Sequence, residues 1–232
     1  MDIEKYSKIA PQYYSDCVSE LLTKYLLDYN FITFLDSGCG DGNLLNALFK
    51  KKFLSGKKVF AIDLSKNRID LVQKIDANIS ARVDNAEEMK TIEGGSIDFF
   101  VSTQVIEHLD GKKMVNSINR VVKKDGLVYL STVFKKWYGW YFYRNNGRWV
   151  IDPTHLREYK KDCELLNLFS DEKFQLLENK KTLLKFPIID FFIKRAKIGN
   201  RYFYENKVFK FLRKIKLPII GYYNWEIMFK KM

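Results

Sequence analysis

Histidine is the side chain best suited to moving a proton near neutral pH, and this chain of 232 residues has two of them. His108 sits in QVIEHL and His155 in DPTHLREY. Neither stretch has the pattern of a hydrophobic core element, and DPTHLREY lies between a proline turn and a charged run. An imidazole placed there could deprotonate a hydroxyl, or it could order a loop through a hydrogen bond. Three other clusters carry chemistry. FLDSGCGDGNLL (34–45) sets Gly38, Gly40 and Gly42 directly after Asp36, and glycines let backbone approach a ligand closely. VFAIDLS (59–65) puts Asp63 21 residues past Gly42, where a carboxylate can take both hydroxyls of a ribose. VDNAEEM (83–89) offers Asp84 or Asn85 to an adenine edge. No GK[ST] follows the glycines, which excludes a phosphate P-loop, and the third glycine of the dinucleotide fingerprint is missing. Asp63 alone could cap the helix after it. Three such groups in order, at three successive strand ends, favour a nucleoside-like ligand.

The elements that must hold these groups follow from periodicity. From about Phe31, short apolar runs alternate with amphipathic stretches, which indicates βαβ units and a parallel sheet. Strands are expected at 31–36, 57–63, 79–84, 96–103 and 125–134, with helices at 42–51, 65–75 and 112–122 between them. Ser65 is the expected N-cap of the second of these helices. A helix over 11–29, begun by Pro11, comes first. A helix at 160–169 and strands at 173–181 and 223–231 come last. Between those strands, 182–222 shows two helical stripes, Ile188, Ile189, Phe192 and Ile193, then Val208, Phe211, Leu212 and Ile215, the second ended by Pro218. Each glycine or acid cluster thus falls at the C-terminal end of a strand, where open α/β sheets bind ligands.

Composition bounds the class. Apolar residues make up 47% of the chain, which suits a globular α/β domain. No apolar run reaches the ~18 residues of a membrane-spanning helix. MDIEKYSKIA lacks an apolar signal core, so a cytoplasmic protein is expected, and three scattered cysteines without a CxxC pair fit reduced thiols. The net charge of +12 is uneven. Residues 180–232 hold 14 Lys/Arg against 3 Asp/Glu, a net of +11, together with 12 aromatics. Residues 1–179 carry the remaining +1. Basic plus aromatic character suits an anionic membrane surface or a nucleic acid, and it also suits a solvated face over an aromatic core.

These motifs together resemble the class I S-adenosylmethionine-dependent methyltransferases, of the small-molecule and glycan type. LDSGCGDG is similar to that family's glycine motif and AIDLS to its second motif. NAEEM followed by GGSIDFFVSTQVIEHL, then VVKKDGLVYLST, resembles the family's run through its fourth and fifth strands. KYSKIAPQYY resembles an opening whose tyrosines close over the cofactor. The match covers about residues 5–135. It implies a Rossmann-like seven-stranded sheet of order 3-2-1-4-5-7-6, with strand 7 antiparallel and helices on both faces. It further implies one domain over 1–232, with 1–30 as an N-terminal cap helix and 135–160 and 182–222 as substrate-side insertions. By carry-over, Gly38 and Gly40 approach the methionine part of S-adenosyl-L-methionine and Asp36 supports its amino group. Asp63 takes the ribose, Leu64 packs on adenine, and Asp84, Asn85 and Ala86 meet the adenine edge. Ser102 and Gln104 line the methionine side, and Tyr13 covers it.

The sulfonium is already an electrophile, so the chain's task is to align an acceptor and supply a base if the acceptor is a hydroxyl. THLREY resembles an H-x-REY/F element of small-molecule and sugar methyltransferases, which makes His155 the candidate base. Ubiquinone-pathway and small-RNA methyltransferases hold Mg²⁺ with an E-x-x-E-H element and a later histidine. Here Gln104 replaces the first acid, so no metal is assigned, although Glu107, His108 and His155 remain. The expected acceptor is a hydroxyl of a sugar, glycolipid or other small molecule, presented at an anionic membrane surface through 182–222. An RNA acceptor on the same basic face is the alternative, and a catalytically silent binding protein the third.

Overall fold

The computed structural model describes residues 17–187 except 142, 146 and 171, then 189, 192 and 206–232. Nine strands are described: β1 (Thr33–Ser37), β2 (Lys58–Asp63), β3 (Ile79–Val83), β4 (Ile97–Thr103), β5 (Val122–Lys135), β6 (Tyr143–Asn145), β7 (Arg148–Val150), β8 (Phe174–Pro187) and β9 (Lys216–Lys231). The described helices are α1 (Glu20–Asp28), α2 (Asn43–Lys50), α3 (Lys66–Val72), α4 (Gly111–Val121), α5 (Cys163–Ser170) and α6 (Lys207–Leu212). One 3₁₀ turn spans Ile106–His108. The main sheet runs β3-β2-β1-β4-β5-β9-β8, and β6 and β7 form a separate hairpin. Numbered within the main sheet alone, the order is 3-2-1-4-5-7-6. β9 is antiparallel to both β5 and β8.

Both faces of the central strands are buried, which is why their sequences read as continuous apolar runs. On β1 and β4, Leu35 and Phe100 point into a cluster with Met114, Ile118, Leu165 and Phe169 of α4 and α5. Their neighbours Phe34, Phe99 and Val101 point the other way, onto Leu22, Leu45, Leu48 and Ile69 of α1, α2 and α3. This period of two sets the layer order, and it leaves the C-terminal ends of β1, β2, β3 and β4 to carry the polar groups.

Three expected boundaries differ. The first described helix starts at Glu20, and residues 17–19 ahead of it are not helical. Ser19 is extended (φ −65°, ψ 151°) and its Oγ accepts from Leu22 N at 3.0 Å, so it is the N-cap. Pro11 lies outside the described residues, and α1 buries Leu21, Leu22 and Leu26 as part of a core layer. The helix over 208–215 ends at Leu212, before Pro218 is reached. Pro218 lies in β9 opposite Lys185, beyond Tyr222 where pairing with β5 stops, so its missing N–H leaves no gap in the main sheet. Finally, β8 and β9 run past 181 and begin before 223 as a two-stranded ribbon down to Pro187↔Lys216. The insertion expected at 182–222 is therefore strand at both ends. Its first helical stripe lies mostly outside the described residues.

Candidate functional site

The glycine loop turns between β1 and α2. Gly38, Gly40 and Gly42 have φ of +72°, +54° and +80°, a region that L side chains rarely adopt. A Cβ on Gly38 would come within 2.3 Å of Val105 Cγ2, whereas a Cβ on Gly40 would meet nothing within 4 Å. Gly38 is thus needed for packing, and Gly40 faces open space. Asp36 ends β1 below the loop, 1% exposed, and neither carboxylate oxygen has a partner among the described residues. Burial, with the Asp63 charge beside it, pushes its carboxyl up to about 7. An unpaired acid at such a depth is costly, and a cationic ammonium is the kind of group that would satisfy it.

Asp63 closes β2 facing the same loop. Its Oδ2 accepts from Gly40 N at 3.0 Å and its Oδ1 from Ser65 N at 2.9 Å. Ser65, not Asp63, caps α3, accepting from Arg68 N. Arg68 bridges Asp41 (3.5 Å) and Asp63 (3.7 Å), an interaction that the sequence reading missed. Only the spacing of Arg68 on α3 could have signalled it. With Asp36, Asp41 and Asp63 against one guanidinium, the loop is electronegative and suited to a cationic ligand. Each carboxylate oxygen of Asp63 keeps a lone pair beyond these bonds. Leu64, beside it, is 48% exposed for an apolar residue at a strand end.

Other expected ligands are used differently. The Asp84 carboxylate is bonded locally: its Oδ1 accepts from Asn85 N, and its Oδ2 from both Thr91 N and Thr91 Oγ1 at 2.7 Å. Asn85 Oδ1 accepts from Glu87 N at 2.9 Å. Both side chains therefore brace the loop after β3, and Ala86 is buried within it. Ser102, fully buried, donates to Ser37 O at 2.7 Å and fixes the end of β1 to β4. Gln104 is exposed with φ +56°, and its amide donates to Asn224 Oδ1 at 3.1 Å. Tyr13 lies outside the described residues. A cavity of about 230 Å³ adjoins the loop, lined by Cys17, Ser19, Leu22, Asn43, Leu44, Thr103 and Tyr129.

The histidines meet. His108 and His155 rings lie 4.7 Å apart, edge to face. Glu107 completes the cluster, with ligand atoms of all three within 4.8 Å of one another. His155 is 7% exposed, although Pro153, Leu156 and Arg157 around it are exposed. Leu156 N and Arg157 N both donate to Glu107 O, which docks DPTHLREY on the 3₁₀ turn. Phe134 bridges Tyr159 to carry the segment back to β5. His155 Nδ1 lies 3.3 Å from Glu158 Oε1. Glu158 also accepts from Ile151 N and Tyr222 Oη and pairs with Lys135. Burial alone would raise its carboxyl, but the bonds from His155 and Ile151 N and the Lys135 charge hold it low. Glu107 is fully buried, its Oε2 accepting from Thr132 Oγ1 while Oε1 has no partner among the described residues. Burial pushes it up to about 7. Burial and the neighbouring His155 lower His108.

Comparison with known proteins agrees with this geometry. A family model described as a methyltransferase domain matches residues 35–130, from β1 through β5. A curated relative, ubiquinone biosynthesis O-methyltransferase of Bartonella tribocorum, is 28% identical over 164 residues, covering 66% of this chain and 64% of the relative. Among solved structures, an S-adenosylmethionine-dependent methyltransferase from Methanosarcina mazei superposes with a TM-score of 0.62 at 16% identity, covering 93% of this chain and 98% of that one. Geranyl diphosphate C-methyltransferase from Streptomyces coelicolor A3(2), crystallised with Mg²⁺, geranyl diphosphate and S-adenosyl-L-homocysteine, gives a TM-score of 0.58 at 14% identity, covering 91% and 77%. At these identities the structures speak for the fold.

Proposed function

We propose that this chain, whose residues 35–130 match a family model described as a methyltransferase domain, binds S-adenosyl-L-methionine and transfers its methyl group to a hydroxyl of a small-molecule acceptor. The single observation that carries the reading is the loop itself. Three positive-φ glycines stand over Asp36, which is buried without a partner among the described residues, and beside Asp63. The donor set fits the cofactor. Asp36 would hold the ammonium, Asp63 the ribose hydroxyls and Leu64 the adenine face, with Gly40 leaving room for the ligand. When bound, the cofactor supplies an electrophilic methyl group, and the protein's own groups do the rest.

His155 is the candidate base. If Nδ1–H donates to Glu158, Nε2 keeps its lone pair for the acceptor proton. Glu158, anchored by Ile151 N, Tyr222 and Lys135, would fix the ring and stabilise the imidazolium that forms. A sugar or glycolipid hydroxyl remains the acceptor class we favour. The O-methyltransferase relative supports oxygen as the methylated atom, although the match spans only 64% of that protein. On this reading His155→Ala lowers the methylation rate roughly 10²- to 10⁴-fold, while calorimetric affinity for S-adenosyl-L-methionine stays as in the wild type. An unchanged rate with a competent acceptor contradicts the base role.

One observation favours a second reading of the same cluster. Glu107, His108 and His155 present one carboxylate and two imidazoles within 4.8 Å, a donor set that suits a transition-metal ion better than Mg²⁺. In that case the three residues would hold a cation beside the acceptor and lower the pKa of its hydroxyl. Elemental analysis of the purified chain, with activity read before and after chelation, separates the two.

A further inference from the structure

Among the described residues, the C-terminal region exposes an apolar surface. α6 and the turn after it set Val208, Phe211 and Ile215 at i, i+3 and i+7, a stripe that a surface helix ordinarily turns to the core. Here these residues are 63%, 65% and 52% exposed. The chain then enters the β8–β9 ribbon, where Leu217 and Ile220 are 57% and 60% exposed. Trp137, 90% exposed, joins the same surface from the loop after β5. That loop is tied to the ribbon, with Lys136 N donating to Gly221 O at 2.8 Å and Trp140 N to Ile220 O at 3.2 Å. The approach is so close that a Cβ on Gly221 would lie 2.5 Å from Gly139 Cα.

We propose that this surface docks on an anionic lipid bilayer, with Trp137, Phe211, Ile215 and Ile220 entering the headgroup region. Two features select that occupant. Lys136, Lys207, Lys214 and Lys216 are exposed around the apolar groups, within a region of net charge +11, which complements a negative leaflet. The stripe is also largely aliphatic. Val208, Ile215, Leu217 and Ile220 gain from leaving water at a bilayer interface, and none of these four offers a ring for a nucleic-acid base to stack on. An almost fully exposed tryptophan beside lysines is the composition of an interfacial anchor. The surface would hold the domain where a lipid-borne acceptor is presented, and it stands apart from the transfer chemistry.

The test is co-sedimentation of the full chain with phosphatidylcholine vesicles, with and without phosphatidylglycerol. Binding is expected only with phosphatidylglycerol and should weaken with salt. The variant Trp137→Ser/Phe211→Ser/Ile215→Ser should lose roughly tenfold or more of that binding, as should Lys214→Glu/Lys216→Glu. Because the altered side chains are exposed, thermal melting should match the wild type. Cofactor titration on the same samples reports separately on the transferase reading. A wild-type chain indifferent to phosphatidylglycerol overturns the proposal, and so does an apolar variant that binds as the wild type does. Salt-sensitive binding to single-stranded RNA with no vesicle binding overturns it in favour of a nucleic-acid face.

Discussion

Asp36 shows what a single buried side chain can do. Its carboxyl is held at about 7 by burial and by Asp63, against an ordinary value of 3.8. Between about pH 4 and 7 the folded chain therefore keeps a proton that the unfolded chain has released. On that account stability falls as pH rises through this window, and above it the ionised, unpaired acid is a standing cost. A bound ammonium would offset that cost, so cofactor affinity should rise with pH, by roughly tenfold per unit below 7, and then level off. Calorimetry in buffers of different ionisation heats should show proton release near neutrality, and Asp36→Asn should remove the pH dependence. A flat affinity from pH 6 to 8 would count against the ammonium assignment. At this scale the sequence was only partly legible. Asp36, Gly40 and Asp63 converge as their spacing indicated. The side chains of Asp84, Asn85 and Ser102 hydrogen-bond to neighbouring loops and strand ends, and spacing cannot tell that use from ligand binding. The contact of His108 with His155 joins residues far apart in sequence, and only the resemblance to an E-H element with a later histidine grouped them.

Among the elements, β1, β2 and β4 were legible because burial on both faces forces uninterrupted apolar runs. The β8–β9 ribbon was not, because beyond the main sheet only part of it is covered, where Leu184, Phe186 and Ile219 pack with Val133, Tyr141, Ile151 and Tyr222, and its lysines and leucines alternate without a fixed period. The stop at Leu212 is not legible from Pro218 for a related reason: a proline can end a helix, but it is equally at home where a strand has lost one neighbour. The opposite end of the sheet has its own staple. Asp98 on β4 accepts from Ile32 N, Thr33 N and Thr33 Oγ1 and pairs with Lys123, joining the starts of β1 and β5. Partial burial would raise its carboxyl, but the bonds from Lys123 and Thr33 win and hold it down at about 2. A depressed carboxylate contributes stability above the unfolded value of 3.8 and loses it as pH falls toward 2. Asp98→Asn should lower the melting temperature at pH 6 and flatten its decline between pH 4 and 2. A variant whose acid limb matches the wild type would show that the staple is without weight.

Across the whole molecule, charge and chemistry are separated. Acidic groups gather at the glycine loop, while the basic excess lies in residues 180–232. The proposed cofactor would meet the acidic loop, and the proposed membrane contact the basic region. The histidine cluster sits on the β4 and β5 side of the sheet, held by the segment that returns through Tyr159. Everything functional in this description depends on the loop binding S-adenosyl-L-methionine, and titration calorimetry on the full chain reads that binding directly. The expected result is saturable one-site binding that Asp63→Ala weakens by about 2 kcal/mol, roughly thirtyfold, because the ribose hydroxyls lose a charged acceptor. No binding to the wild-type chain, or equal affinity in the variant, would contradict it.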